Sequence, residues 1–68
     1  MSEGIQSSFI RAVEYNELAM TLDVWMHNGA AYRYFYITRA MYLQFMSAYS
    51  KGNFYNSYIK GRYPSAMI

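Results

Sequence analysis

Apolar and polar side chains alternate between residues 8 and 37, whereas from 38 to 60 the apolar positions recur every three or four residues. The chain therefore reads as strands followed by helix, with the change near Thr38. Met20, Leu22, Val24 and Met26 alternate with Thr21, Asp23, Trp25 and His27, the pattern of a strand with one buried face. In the next segment Tyr32, Tyr34 and Tyr36 fall on the core side, opposite Ala31, Arg33 and Phe35, and Asn28-Gly29 marks the hairpin before it. A two-residue turn there would set Val24 against Arg33. A three-residue loop of His27, Asn28 and left-handed Gly29 instead sets Val24 against Tyr32, Leu22 against Tyr34 and Asp23 against Arg33. The longer loop is preferred because it keeps Arg33 out of the core and adds a cross-strand ion pair of about 0.2–1 kcal/mol.

The first strand carries Val13 and Tyr15 on one parity and Ile10 on the other, so a bulge near Arg11 and Ala12 is needed to bury all three on one face. A four-residue turn over Asn16 to Ala19 would then pair Tyr15 with Met20 and Val13 with Leu22. Thr38 is placed to cap a helix whose stripe of Met41, Tyr42, Phe45, Met46 and Tyr49 covers the sheet. Ser50-Lys51-Gly52 interrupts that helix, and Phe54, Tyr55, Tyr58 and Ile59 restart a short second one. The pattern thus predicts an α+β fold, a three-stranded antiparallel β-meander followed by two short helices packed on one face. Residues 1–6 are expected to be a flexible N-terminus, 7–64 a single domain and 65–68 a C-terminal tail.

Composition narrows the class. At 68 residues the chain supports one domain too small for a deep catalytic cavity, while 54% hydrophobic and 15% charged residues are too apolar for a disordered tail. The absence of cysteine removes disulfides and thiolate sites, and with no membrane span or signal peptide in the pattern a cytoplasmic location is expected. Charge is unevenly placed. Glu3, Glu14, Glu17 and Asp23 face Arg11 alone in residues 1–29, whereas Arg33, Arg39, Lys51, Lys60 and Arg62 have no acidic neighbour in residues 30–68. Cations without local carboxylates suit an anionic partner, or else a pairing of the two halves by surface ion pairs of about 0–1 kcal/mol each.

The run Ser50-Lys51-Gly52-Asn53-Phe54-Tyr55-Asn56, followed by Ile59-Lys60-Gly61-Arg62-Tyr63-Pro64, is similar to the signature of the KTSC domain, a module named from the C-terminus of some lysyl-tRNA synthetases. Tyr32-Arg33-Tyr34 resembles the family's central Y-x-Y, and Thr21-Leu22, Val24 and Asn28-Gly29 resemble its hairpin, so the likeness covers about residues 7–64. It departs from the family pattern at Thr38 and Tyr49, where prolines are common, and at Trp25, where a polar residue is the rule. The resemblance implies a stand-alone domain of bacterial or phage type, suspected of RNA binding and without an established activity.

The chemistry expected from the residues is that of binding, with no enzyme activity and no cofactor: no nucleophile elbow, P-loop or dinucleotide fingerprint is present. His27 is the single histidine and lacks a ligand set for a metal. Glu14 and Glu17 read as solvated charges. Ser50-Lys51-Gly52 leads into a helix, so its amides could receive an anion, the alternative being that Ser50 simply caps the helix and Gly52 allows the bend. The first expectation is a module for RNA or other single-stranded nucleic acid, with Arg39, Lys51, Gly52, Lys60 and Arg62 at phosphates and Tyr55 or Tyr63 stacked on bases. The second is a protein-interaction domain, for example a homodimer or a phage-encoded inhibitor of a host complex such as a defence system, acting through Thr21, Trp25, Ala31 and Phe35 on the outer sheet face. There Trp25 is exposed unless the N-terminal segment covers it.

Overall fold

The computed structural model describes residues 3–68. Its elements are β1 (Glu3–Gly4), β2 (Ile10–Asn16), β3 (Thr21–Met26), β4 (Ala31–Phe35), α1 (Arg39–Ser47), α2 (Lys51–Phe54) leading straight into a π-helical turn (Tyr55–Ile59), and β5 (Ser65–Met67). The strands form one antiparallel sheet in the order β1-β2-β3-β4-β5. The predicted three-stranded meander is its centre, and two short strands extend it. Glu3–Gly4, inside the segment expected to be flexible, pairs with β2, and Ser65–Met67, expected as a tail, pairs with β4. Met1 and Ser2, the rest of that expected flexible start, lie outside the described residues, while Ile5 belongs to the core.

Register between β3 and β4 is the one that the three-residue loop demands: Leu22 faces Tyr34, Asp23 faces Arg33 and Val24 faces Tyr32. Gly29 has φ +93°, and Asn28 Oδ1 accepts from the Ala30 amide at 3.0 Å, closing the loop. Arg33 Nε and Nη2 donate to the two carboxylate oxygens of Asp23 at 2.8 and 2.9 Å. That bidentate bond satisfies Asp23, which is only 8% exposed on the outer face, and raises the Arg33 pKa. The expected bulge falls at Arg11, where the pairing with β3 shifts between Ile10 and Ala12, and Ile10 and Val13 are fully buried.

The first hairpin corrects the expected pairing. Tyr15 faces Leu22 and Val13 faces Val24, two residues away from the partners predicted from a turn over Asn16 to Ala19. Asn16 is the last paired residue of β2, its Oδ1 accepts from the Ala19 amide at 3.1 Å, and the loop runs from Glu17 to Met20. Met20 has φ 56°, a left-handed conformation that takes it out of β3. Because the difference is two residues, the side chains from Thr21 to Met26 keep their predicted faces, while Met20 leaves the core for the loop.

Thr38 caps α1, its Oγ1 accepting from the Met41 amide at 3.2 Å, and Phe45 is fully buried with Met41, Tyr42 and Met46 packed around the core. The stripe stops there. Ala48 is extended at ψ 139°, so α1 ends at Ser47 and Tyr49 projects wholly into solvent instead of covering the sheet. Tyr36 also leaves the core to which alternation assigned it. Its φ of 67° turns it outward, and Ile37 is buried in its stead. The Ile37 amide donates to the Met20 carbonyl at 2.9 Å, and the Ile37 carbonyl accepts from the Tyr15 hydroxyl at 2.7 Å. Tyr15 in turn stacks on Tyr42 at 4.5 Å, and its pKa is raised by burial first and by Glu17 second. The passage from sheet to helix is thus held at one residue.

Ser50 Oγ accepts from the Asn53 amide at 3.3 Å and caps α2. Gly52 supplies close approach in place of the expected bend: a Cβ there would lie 2.8 Å from Phe9 Cε1. Gly52→Ala would gain at most about 1 kcal/mol in helix propensity but must displace the Phe9 ring, an overpacking cost of about 1–3 kcal/mol. Urea unfolding is therefore expected to show a net loss of about 1 kcal/mol, and an unchanged or raised midpoint would refute the close-packing role. Arg33→Ala would leave the Asp23 carboxylate without both donors and is expected to lower the urea midpoint. In the same assay the double variant Asp23→Ala/Arg33→Ala should lose less than the sum of the two single variants.

Candidate functional site

Both helical segments lie on the inner face of the sheet. Tyr42 of α1 covers Tyr15 near the 17–20 loop, and the π-helical turn brings Tyr55 against Tyr34 and Phe9. Between the π-helical turn, β4 and the segment before β2 there remains an open cleft of about 670 Å³, within the range of ligand sites. Phe9, Met26 and Tyr32 form its walls, and His27, Asn28, Asn56 and Lys60 stand among its polar lining. At its base are Tyr34 and Tyr55, 4% and 2% exposed, with their hydroxyls hydrogen-bonded to each other and their rings edge to face at 5.8 Å.

The π-helical turn sets this geometry. The Lys60 amide donates to the Tyr55 carbonyl at 2.8 Å, five residues back, which widens the last turn and ends it at Lys60. Tyr55 and Ile59 stay in the core while Lys60 lines the cleft. Burial, and after it the bond to Tyr34, pushes the Tyr55 hydroxyl far above the usual phenol range, so it keeps its proton. Among the described residues no carboxylate lines it: Glu14 and Asp23 are on β2 and β3 in outer-face register, and Glu17 lies in the loop at the other end of β3. Among the described residues no three of His, Asp and Glu come together as a metal site.

The basic residues predicted to form one patch are divided. Arg39 is exposed, with Nε 3.7 Å from Glu17 Oε1 beside the 17–20 loop, whereas Lys60 shares the cleft with the 27–29 loop at the opposite end of β3. Six strand residues separate those ends, about 20 Å. Lys51 bends back so that Nζ donates to the Ala48 carbonyl at 3.2 Å, and Arg62 is exposed just beyond the π-helical turn. Tyr55 is sealed in the core and offers no free face for a base, while Tyr63 is half-buried against the core. Gly52 is buried beneath Phe9, and the Asn53 amide is spent on the Ser50 cap, so the expected anion site at that helix start reads as cap and packing. Lys60 alone of the predicted cations lines the cleft.

The second predicted set is also divided. Thr21 pairs with Phe35 and Trp25 with Ala31 on the outer face, but the Asp23–Arg33 ion pair runs between the two pairs. Ala31 is buried at 6%, and Trp25 is half-buried between it and Ala12 in neighbouring strands. Phe9, Tyr34 and Asn56 are the cleft residues hardest to find from sequence. Tyr34 looks like plain core by alternation, and its partner Tyr55 lies 21 positions away.

Three comparisons bear on this arrangement. The family model of the KTSC domain matches residues 6–63. A lysine–tRNA ligase of Nostoc sp. (strain PCC 7120) is 31% identical over 58 residues, which cover 85% of this chain and 10% of the ligase, so the chain spans about a tenth of that relative's length. The crystal structure of a KTSC domain protein from Yersinia pestis superposes with a TM-score of 0.93 at 29% identity, covering 100% of this chain and 96% of that one. With the Tyr32-Arg33-Tyr34 strand and the Ser50–Asn56 helix start both inside the matched span, this chain belongs to the KTSC domain family.

Proposed function

We propose that this domain is a non-enzymatic binding module for single-stranded nucleic acid, RNA in particular, and that the strand lies across the inner-face cleft. The observation that carries the reading is the cleft's lining: aromatic walls, Lys60 and side-chain amides, without a carboxylate among the described residues. Phe9 and Tyr32 supply flat apolar surface for a base, and Lys60, with Arg62 two residues on, supplies charge for the phosphates flanking it. A sheet that keeps Glu14 and Asp23 on its far face favours an anion on this one. The likeness to part of a lysine–tRNA ligase, a protein that by its name acts on tRNA, favours RNA over DNA. The outer face is the weaker candidate, because an ion pair between buried Asp23 and exposed Arg33 interrupts its apolar residues.

Fluorescence anisotropy with a labelled single-stranded RNA octamer tests the proposal. Lys60→Glu is expected to weaken binding about tenfold, while Arg39→Ala at the far end of β3 leaves it unchanged. If Lys60 and Arg62 each neutralise one phosphate, the log–log salt slope should be about −1.4. A slope near zero, or equal losses at positions 39 and 60, would sink the assignment to this cleft.

A further inference from the structure

Resting on the reading of the cleft as a base-binding site, we infer that the Tyr34–Tyr55 hydroxyl pair reads the inserted base and selects a keto edge over an amino edge. Each phenol carries one proton and can both donate and accept. The two hydroxyls share one hydrogen bond, which uses one of their two protons. Neither hydroxyl meets another acceptor among the described residues, so the second proton is a donor without a protein partner. Both side chains are more than nine-tenths buried, and both line the cleft. Burial makes an unanswered donor costly, so a ligand that fills the cleft and excludes solvent must bring an acceptor to the same place.

The type of acceptor follows from depth and charge. A phosphate placed on two buried phenols would lose its hydration with no cation against it, whereas a neutral carbonyl oxygen loses far less. Phosphate and sugar therefore stay with Lys60, and the base enters edge first. In a pyrimidine the ring position farthest from the glycosidic bond is position 4, which leads into the cleft. Uracil carries an oxygen acceptor there, and cytosine an amino donor. Cytosine's amino group can donate to a phenol oxygen but offers no lone pair to the spare proton, which stays unanswered at a buried site, a mismatch that such sites reject. Uracil fits.

Uridine and cytidine 5′-monophosphates have the same charge and nearly the same shape, so comparing them isolates this contact. Titration of the isotope-labelled domain, followed by NMR at the Tyr34 and Tyr55 rings, should show uridine monophosphate binding at least about fivefold more tightly. The variant Tyr34→Phe/Tyr55→Phe should bring the two affinities together, while Lys60→Glu weakens both nucleotides and leaves their ratio unchanged. Equal binding of the two nucleotides by the unaltered protein would overturn the keto-edge assignment while leaving RNA binding in the cleft intact, and it needs no variant to fold. Failure of nucleotides and RNA octamer alike would overturn both.

Discussion

A slip of one residue in β3 would carry Leu22 and Val24 into water and Asp23 into the core, so nearly every other placement in the domain depends on its register. That register is held from both sides. Toward β4 it is fixed by the loop that ends in left-handed Gly29 and by the fork between Arg33 and Asp23. Toward β2 it is fixed by the bulge at Arg11, which lets Ile10 and Val13 share the buried face although their spacing forbids it in a regular strand. With Leu22 and Val24 inward, Tyr34 is directed at the π-helical turn and meets Tyr55. The base of the cleft is a product of strand register.

The sheet also separates charge. Its outer face carries Asp23 and Arg33 as a closed pair with Glu14 beside Asp23 in β2, while the inner cleft has Lys60 with no carboxylate opposite among the described residues. A cation set apart from carboxylates leaves a positive potential on its face of the sheet. The raw imbalance between the two halves of the chain overstates this effect, since Arg33 is matched by Asp23, Arg39 lies near Glu17 and Lys51 is turned onto a carbonyl.

Where the chain follows a period, its structure could be read from the sequence. The β3–β4 register, the bulge at Arg11, the Thr38 cap and the inward stripe from Met41 to Met46 all come from alternation, loop chemistry or helical spacing. What escaped follows from single backbone angles or from pairing with distant strands. Met20 and Tyr36 are non-glycine residues with positive φ, which no local pattern announces, and they move the first turn and expel a tyrosine. Strands β1 and β5 are too short to show alternation and exist because β2 and β4 offer them an edge. Of the candidate site, Lys60 was legible as a cation, but its separation from Arg39 became visible only once β3 stood between them. The Tyr34–Tyr55 pair joins two residues that each look like ordinary core.

The packing of Gly52 beneath Phe9 bears on the order in which the domain assembles. Every strand pairs with its neighbour in strand order, but the last connection is long, with both helical segments lying between β4 and β5. Adjacent hairpins close short loops and form early at little entropic cost. The Phe9–Gly52 contact joins chain positions roughly forty residues apart, so its closure entropy is repaid only after the meander exists. The cleft between the first segment and the π-helical turn therefore rests on contacts between positions distant in the chain, whereas the meander rests on local ones.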